Sequence, residues 1–229
     1  MTNNISLLLC FFGLLPSLLP PAAQATTVLS NTELYPSTPG TMGPGNHTGM
    51  MEEEAIQYFQ AQSFTTGGAS YVLGSITPYF DNSYGGGFTM ALHSNNGGTP
   101  GEFIATLSGN STPDFGLDSS YAPSSTVTLD ADTTYWFVTS INPSVSRGAA
   151  NIFVNPVGNF TATAAEGWSV GQSAQQSTRD GISDDWNVDP VYALLFEVDA
   201  TLTAAPEPTR MLLLAVGSFG LILRRRRAA

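Results

Sequence analysis

The 229-residue chain carries eighteen Asp and Glu against seven basic residues, all of them arginine, for a formal net charge of −11. So acidic a chain repels polyanions, which excludes nucleic-acid binding, and without lysine it has no Walker-type phosphate loop. A single cysteine excludes a disulfide framework, so stability must come from a buried core.

Residues 1–25 read as a secretory signal peptide. Ile5 to Leu19 is mostly apolar, and Pro20-Pro21 and then Ala23-Gln24-Ala25 follow it, which places the cut before Thr26. No Lys or Arg precedes the apolar run, so only the α-amino group supplies positive charge. The run is short for a permanent span. Cys10 lies between Leu8-Leu9 and Phe11-Phe12, which does not fit a lipoprotein cleavage site, and removing the segment leaves no cysteine.

Residues 26–55 form a Gly, Pro, Ser and Thr-rich segment expected as a linker. Pro36, Pro39, Gly40, Gly43, Pro44, Gly45 and Gly49 interrupt it, and few large apolar residues are present to offset the cost of ordering. Val28 and Leu29 are candidates for a first edge strand. Glu52-Glu53-Glu54 reads as a solvated charge run.

Residues 56–203 carry a β pattern. Phe88, Met90 and Leu92 alternate with Thr89, Ala91 and His93, the period-two signature of a half-buried strand. Ser94 to Gly101 breaks the chain, with Asn96-Gly97 favouring a turn that needs positive φ. Strands are expected at Phe103–Leu107, Thr126–Leu129, Thr133–Val138, Ile152–Val154 and Phe160–Thr163. In the last strand Tyr192, Leu194, Phe196 and Val198 face one way and Glu197 and Asp199 the other. Many short strands punctuated by Gly, Pro and Asn predict an all-β fold: a single, jelly-roll-like β-sandwich flanked by the signal peptide and a C-terminal transmembrane helix.

Residues 204–229 combine Pro206-Glu207-Pro208, the uncharged run Met211 to Leu223, and Arg224-Arg225-Arg226-Arg227. Thirteen helical residues rise roughly 20 Å, against roughly 30 Å of bilayer core, so the span is marginal, and the arginines hold its end in the cytoplasm. This tail resembles the PEP-CTERM sorting signal of Gram-negative bacteria. The resemblance implies signal peptidase and exosortase as processing partners, a transient inner-membrane anchor, and release of the protein to the cell surface or exterior.

A second resemblance covers roughly residues 64–137. Phe64-Thr65-Thr66-Gly67-Gly68, the stretch from Leu92 to Gly101 on through Leu107-Ser108-Gly109, and Leu129-Asp130-Ala131-Asp132-Thr133-Thr134-Tyr135-Trp136 resemble a choice-of-anchor R domain. That resemblance implies an extracellular surface module and brings no catalytic residues.

Between the two processed ends, Thr26 to Ala205 holds seventeen acidic side chains against Arg147 and Arg179, which leaves −15. Gly167-Trp168-Ser169-Val170-Gly171 matches the G-x-S-x-G nucleophile elbow, but that elbow needs a later histidine, and His47 and His93 both lie upstream. Neither histidine has a second ligand at zinc spacing, and His93 is expected at the surface. Asp180, Asp184, Asp185 and Asp189 are the candidate calcium ligands, set against a plain solvated loop; no other cofactor is expected. Trp168 and Trp186, among Gly, Ser and Asp, are the candidate platforms for stacking on a sugar, whereas Trp136 lies in an apolar strand and is expected in the core. Together these features predict an exported, non-catalytic surface or matrix protein associated with exopolysaccharide. The alternative is a secreted carbohydrate-active hydrolase using carboxylates of the 180–189 loop.

Overall fold

The computed structural model describes residues 24–32, 40–42, 45–48, 55–142, 147–156, 162–179, 182–183 and 185–203. Among them there is no helix. The strands in chain order are β1 (Thr26–Ser30), β2 (Gly40–Met42), β3 (Gly45–Thr48), β4 (Ala55–Thr65), β5 (Tyr71–Pro78) and β6 (Phe80–Tyr84). Next come β7 (Phe88–Asn96), β8 (Thr99–Ser108), β9 (Ala122–Pro123), β10 (Thr128–Leu129), β11 (Thr134–Ile141) and β12 (Arg147–Pro156). The last six are β13 (Thr163–Ala164), β14 (Ser169–Arg179), β15 (Ile182–Ser183), β16 (Asn187–Asp189), β17 (Tyr192–Leu194) and β18 (Phe196–Leu202).

Two antiparallel sheets face each other across one core, giving an all-β, sandwich-like fold. The smaller runs β10-β5-β18-β1-β13, and the larger runs β17-β12-β3-β4-β11-β7-β8-β9, with β14 adding β15 and β16 on the other side of β4. Residues 40–42 and 45–48, expected as linker, are instead paired into the larger sheet, and the candidate strand at Val28 and Leu29 forms as β1 in the smaller one. β1 is not an edge: it lies between β18 and β13, with Leu29 fully buried. A short strand can enter a core on two apolar residues even when its flanks have linker composition.

The alternation in β7 and β11 settles which face goes inward. Phe88, Met90 and Leu92 enter the core with Tyr135 and Phe137, and the cross-strand pair Phe137–Leu92 fixes the register. From the last strands Leu194, Phe196 and Val198 join them. Phe196 is fully buried and meets Phe137 edge-on at 5.1 Å, a favoured aromatic geometry. The break expected from Ser94 to Gly101 shrinks to two residues. Gly97 and Gly98 both have positive φ (63° and 94°), the requirement of a type I′ turn, so β7 continues to Asn96 and β8 resumes at Thr99.

Two strands cross from one sheet to the other at a shared corner. β17 pairs with β12 in the larger sheet and β18 with β5 in the smaller, with Leu195 between them. Alongside, Tyr79 separates β5 from β6, which pairs with β12. Where a strand leaves one sheet before joining the next, its backbone groups lose ladder partners, and buried ones must find others. Leu195 donates to the Phe153 carbonyl at 2.8 Å and accepts from the Tyr79 N–H at 2.9 Å. Buried side chains supply the rest. The Gln62 Oε1 accepts the Leu194 N–H at 2.8 Å, the Asn31 Nδ2 donates to the Leu194 carbonyl at 2.8 Å, and the Asn31 Oδ1 accepts the Phe196 N–H at 2.7 Å.

Candidate functional site

The sheet of β14, β4, β11 and β7 has a second, outward face. Because side chains alternate, Trp136 and Val138 of β11 point there with Ala61 of β4 and Ala174 of β14, away from the main core. They form a small outer cluster, against which Phe59, Trp186 and Val188 pack half-buried. Trp136 is therefore buried, as expected, but outside the sandwich interior; its Nε1 donates to the Asn95 Oδ1 at 2.9 Å.

Beside this cluster runs a groove of about 420 Å³. Trp186 and Phe59 wall one end, with Gln176 opposite Phe59 on the neighbouring strand. Ala91 and Val138 are cross-strand partners in its middle, as are Thr89 and Ser140. His93, Pro100, Gly101 and Thr106 line the far end. The small side chain at Ala91 keeps the middle open, while Trp186 reaches the outer face from the stretch just before β16.

Polar groups in the groove are held in place. The Thr89 and Ser140 hydroxyls lie 2.7 Å apart. The His93 Nδ1 lies 3.0 Å from the Gly101 carbonyl. A carbonyl only accepts, so the neutral ring carries its proton on Nδ1 and presents Nε2 as an acceptor. Phe103 stands edge-on to the imidazole at 5.9 Å and fixes its tilt. Among the described lining residues His93 is the single titratable side chain, and there is no carboxylate, lysine or arginine.

The other sequence candidates fall elsewhere. Trp168 is 5 % exposed, stacked on Phe64 at 6.1 Å and met edge-on by Tyr71 at 5.1 Å. It is a core residue with no face left for a sugar, which corrects its assignment as a platform. Its glycine-rich neighbourhood reflects close packing: Gly67 and Gly167 approach so closely that a Cβ on Gly167 would lie 2.9 Å from the Gly67 Cα. Gly167 sits in a turn with φ of 80°, and Ser169 opens a strand paired with Thr65, so no strand-to-helix elbow forms. His47 lies in β3 opposite Ile56 and Arg147.

Of the candidate calcium ligands, Asp180 and Asp184 lie outside the described residues. Asp185 is exposed, and the Asp189 Oδ1 accepts the Val191 and Tyr192 N–H groups at 2.8 and 3.3 Å, which caps a turn. No group of three metal-ligating side chains occurs among the described residues. The sorting motif Pro206, Glu207 and Pro208, the apolar run to Leu223 and the arginines Arg224, Arg225, Arg226 and Arg227 also lie outside them. No described helix is long and apolar enough to cross a membrane.

Sequence reasoning reached Trp186 as a loop tryptophan but missed Phe59, Gln176 and His93 as its companions. They come together only through the pairing of β14, β4, β11 and β7, and each alone reads as an ordinary outward strand residue. No protein-family model matches the chain, and no curated protein matches it.

Proposed function

We propose that the protein is an exported, non-catalytic surface or matrix component that associates with extracellular polysaccharide through the outer groove. The observation that carries this reading is the groove's chemistry: an aromatic wall, neutral hydrogen-bonding groups, and one imidazole with no carboxylate among the described lining residues. Glycoside hydrolysis needs two carboxyl groups flanking the scissile bond, so this lining favours holding a sugar chain over cleaving it.

The same proposal includes the two processed ends. The signal peptide of residues 1–25 directs export, and the tail from Pro206 to Arg227 holds the chain in the inner membrane until exosortase removes it. The PEP-CTERM and choice-of-anchor R resemblances support that route, and the larger architecture is taken as jelly-roll-like. A glycan array probed with the exported protein, with release of reducing ends followed in parallel, tests the function. Binding without release is the expected result, and release of reducing ends would overturn it in favour of the hydrolase. Intact-mass measurement of the extracellular protein tests the route: a mature species still carrying Arg224 to Arg227 would refute the processing.

A further inference from the structure

Resting on that reading, we infer that the occupant of the outer groove is a neutral polysaccharide chain lying across the strands, with a sugar ring stacked on Trp186, and that chains bearing uronate or other anionic groups are rejected. The charge argument comes first. The described lining offers no lysine or arginine to meet an anionic group, and the surrounding region from Thr26 to Ala205 carries seventeen acidic side chains against two arginines. An anion entering would be desolvated without a counter-charge and repelled by the field of the whole domain.

The lining also argues against a purely apolar occupant such as a lipid chain. An apolar chain would strip water from the Thr89, Ser140 and Thr106 hydroxyls and from the His93 Nε2 and offer their remaining hydrogen-bonding capacity nothing in return, a cost for each group. Sugar hydroxyls both donate and accept, so they can meet these groups whatever their polarity, and the His93 Nε2 is an acceptor for one of them. The C–H face of a pyranose fits the flat, partly exposed ring of Trp186. The groove crosses five neighbouring strands, β14 to β8, and at about 4.8 Å between strands this spans about 19 Å. That is room for a short run of rings rather than for one monosaccharide.

Tryptophan fluorescence gives a readout tied to one residue. Trp136 and Trp168 are 1 % and 5 % exposed, so Trp186 is the tryptophan that a collisional quencher such as acrylamide reaches. Full-length protein is titrated with a soluble neutral glucan, a neutral galactomannan and the polyuronate alginate. The expected result is that a neutral chain binds and shields Trp186 from quencher, and alginate does neither. Trp186→Ala and Ala91→Leu, which fills the middle of the groove, are each expected to weaken binding at least tenfold while the protein still unfolds in one cooperative transition.

Binding of alginate with no binding of the neutral chains would overturn the inference while leaving polysaccharide association intact. Neutral binding that both variants retain would also overturn it, by placing the sugar elsewhere on the protein. Failure of all three polysaccharides to bind would sink the inference and the broader reading together.

Discussion

Replacing Asn31 with Leu isolates the device that lets a strand pass from one sheet to the other. The side chain is fully buried and bonds both sides of the corner, the Leu194 carbonyl at 2.8 Å and the Phe196 N–H at 2.7 Å. Leucine fills a similar volume, so little cavity cost enters, but both backbone groups lose their partner where water cannot replace it. At about 1–3 kcal/mol for each buried group left unsatisfied, the loss is about 2–6 kcal/mol. Urea unfolding of the full-length protein, followed through the emission of the buried Trp136 and Trp168, reads it as a lower midpoint at unchanged slope. A loss below about 1 kcal/mol, typical of a surface change, would refute the claim that Asn31 satisfies the corner.

Three further outcomes follow from the same geometry. Phe196→Ala removes a fully buried ring between Phe64 and Phe137 and is expected to cost about 3–5 kcal/mol, measured by the same unfolding. Burial pushes the phenol of Tyr121 well above its ordinary 10.0 and raises that of Tyr135. The unfolded chain then releases these protons first, so their contribution is full below about pH 10 and falls as pH rises above it; the urea midpoint should drop in alkali, and Tyr121→Phe with Tyr135→Phe should flatten the decline. Melting with and without a chelator is expected to coincide, because Asp189 caps a turn. A calcium site filled at a hundredfold excess would instead add about 2.7 kcal/mol and separate the curves by several degrees.

The strands legible in the sequence are those with a period-two pattern or a dense β-branched and aromatic run. In β7 the apolar residues alternate with small or polar ones, because one side meets the core and the other is largely open, whereas β11 reads as a strand from its β-branched and aromatic run and is buried on both faces. β14 was harder to see. Its Gln172-Ser173-Ala174-Gln175-Gln176-Ser177 stretch has little β propensity, and it is held by pairing with β4 along nearly its whole length. Asn31 and Gln62 look like surface residues until the sheet crossing demands a buried donor or acceptor. Trp168 misled for a related reason: glycines that permit close packing around a buried indole resemble, in one dimension, the glycines of a loop. The groove was the least legible feature, since Phe59, His93, Gln176 and Trp186 are joined by register rather than by any local spacing.

The most direct test of the central claim is an NMR titration of the nitrogen-labelled, full-length protein with a soluble neutral glucan. The three indole N–H signals of Trp136, Trp168 and Trp186 are followed together with the anomeric signals of the glucan's free reducing ends. The account predicts that the Trp186 signal moves and saturates, that the Trp168 signal stays in place in the core, and that the reducing-end signals do not grow over a day. A shift at Trp168 without one at Trp186, or steady growth of reducing ends, would contradict it.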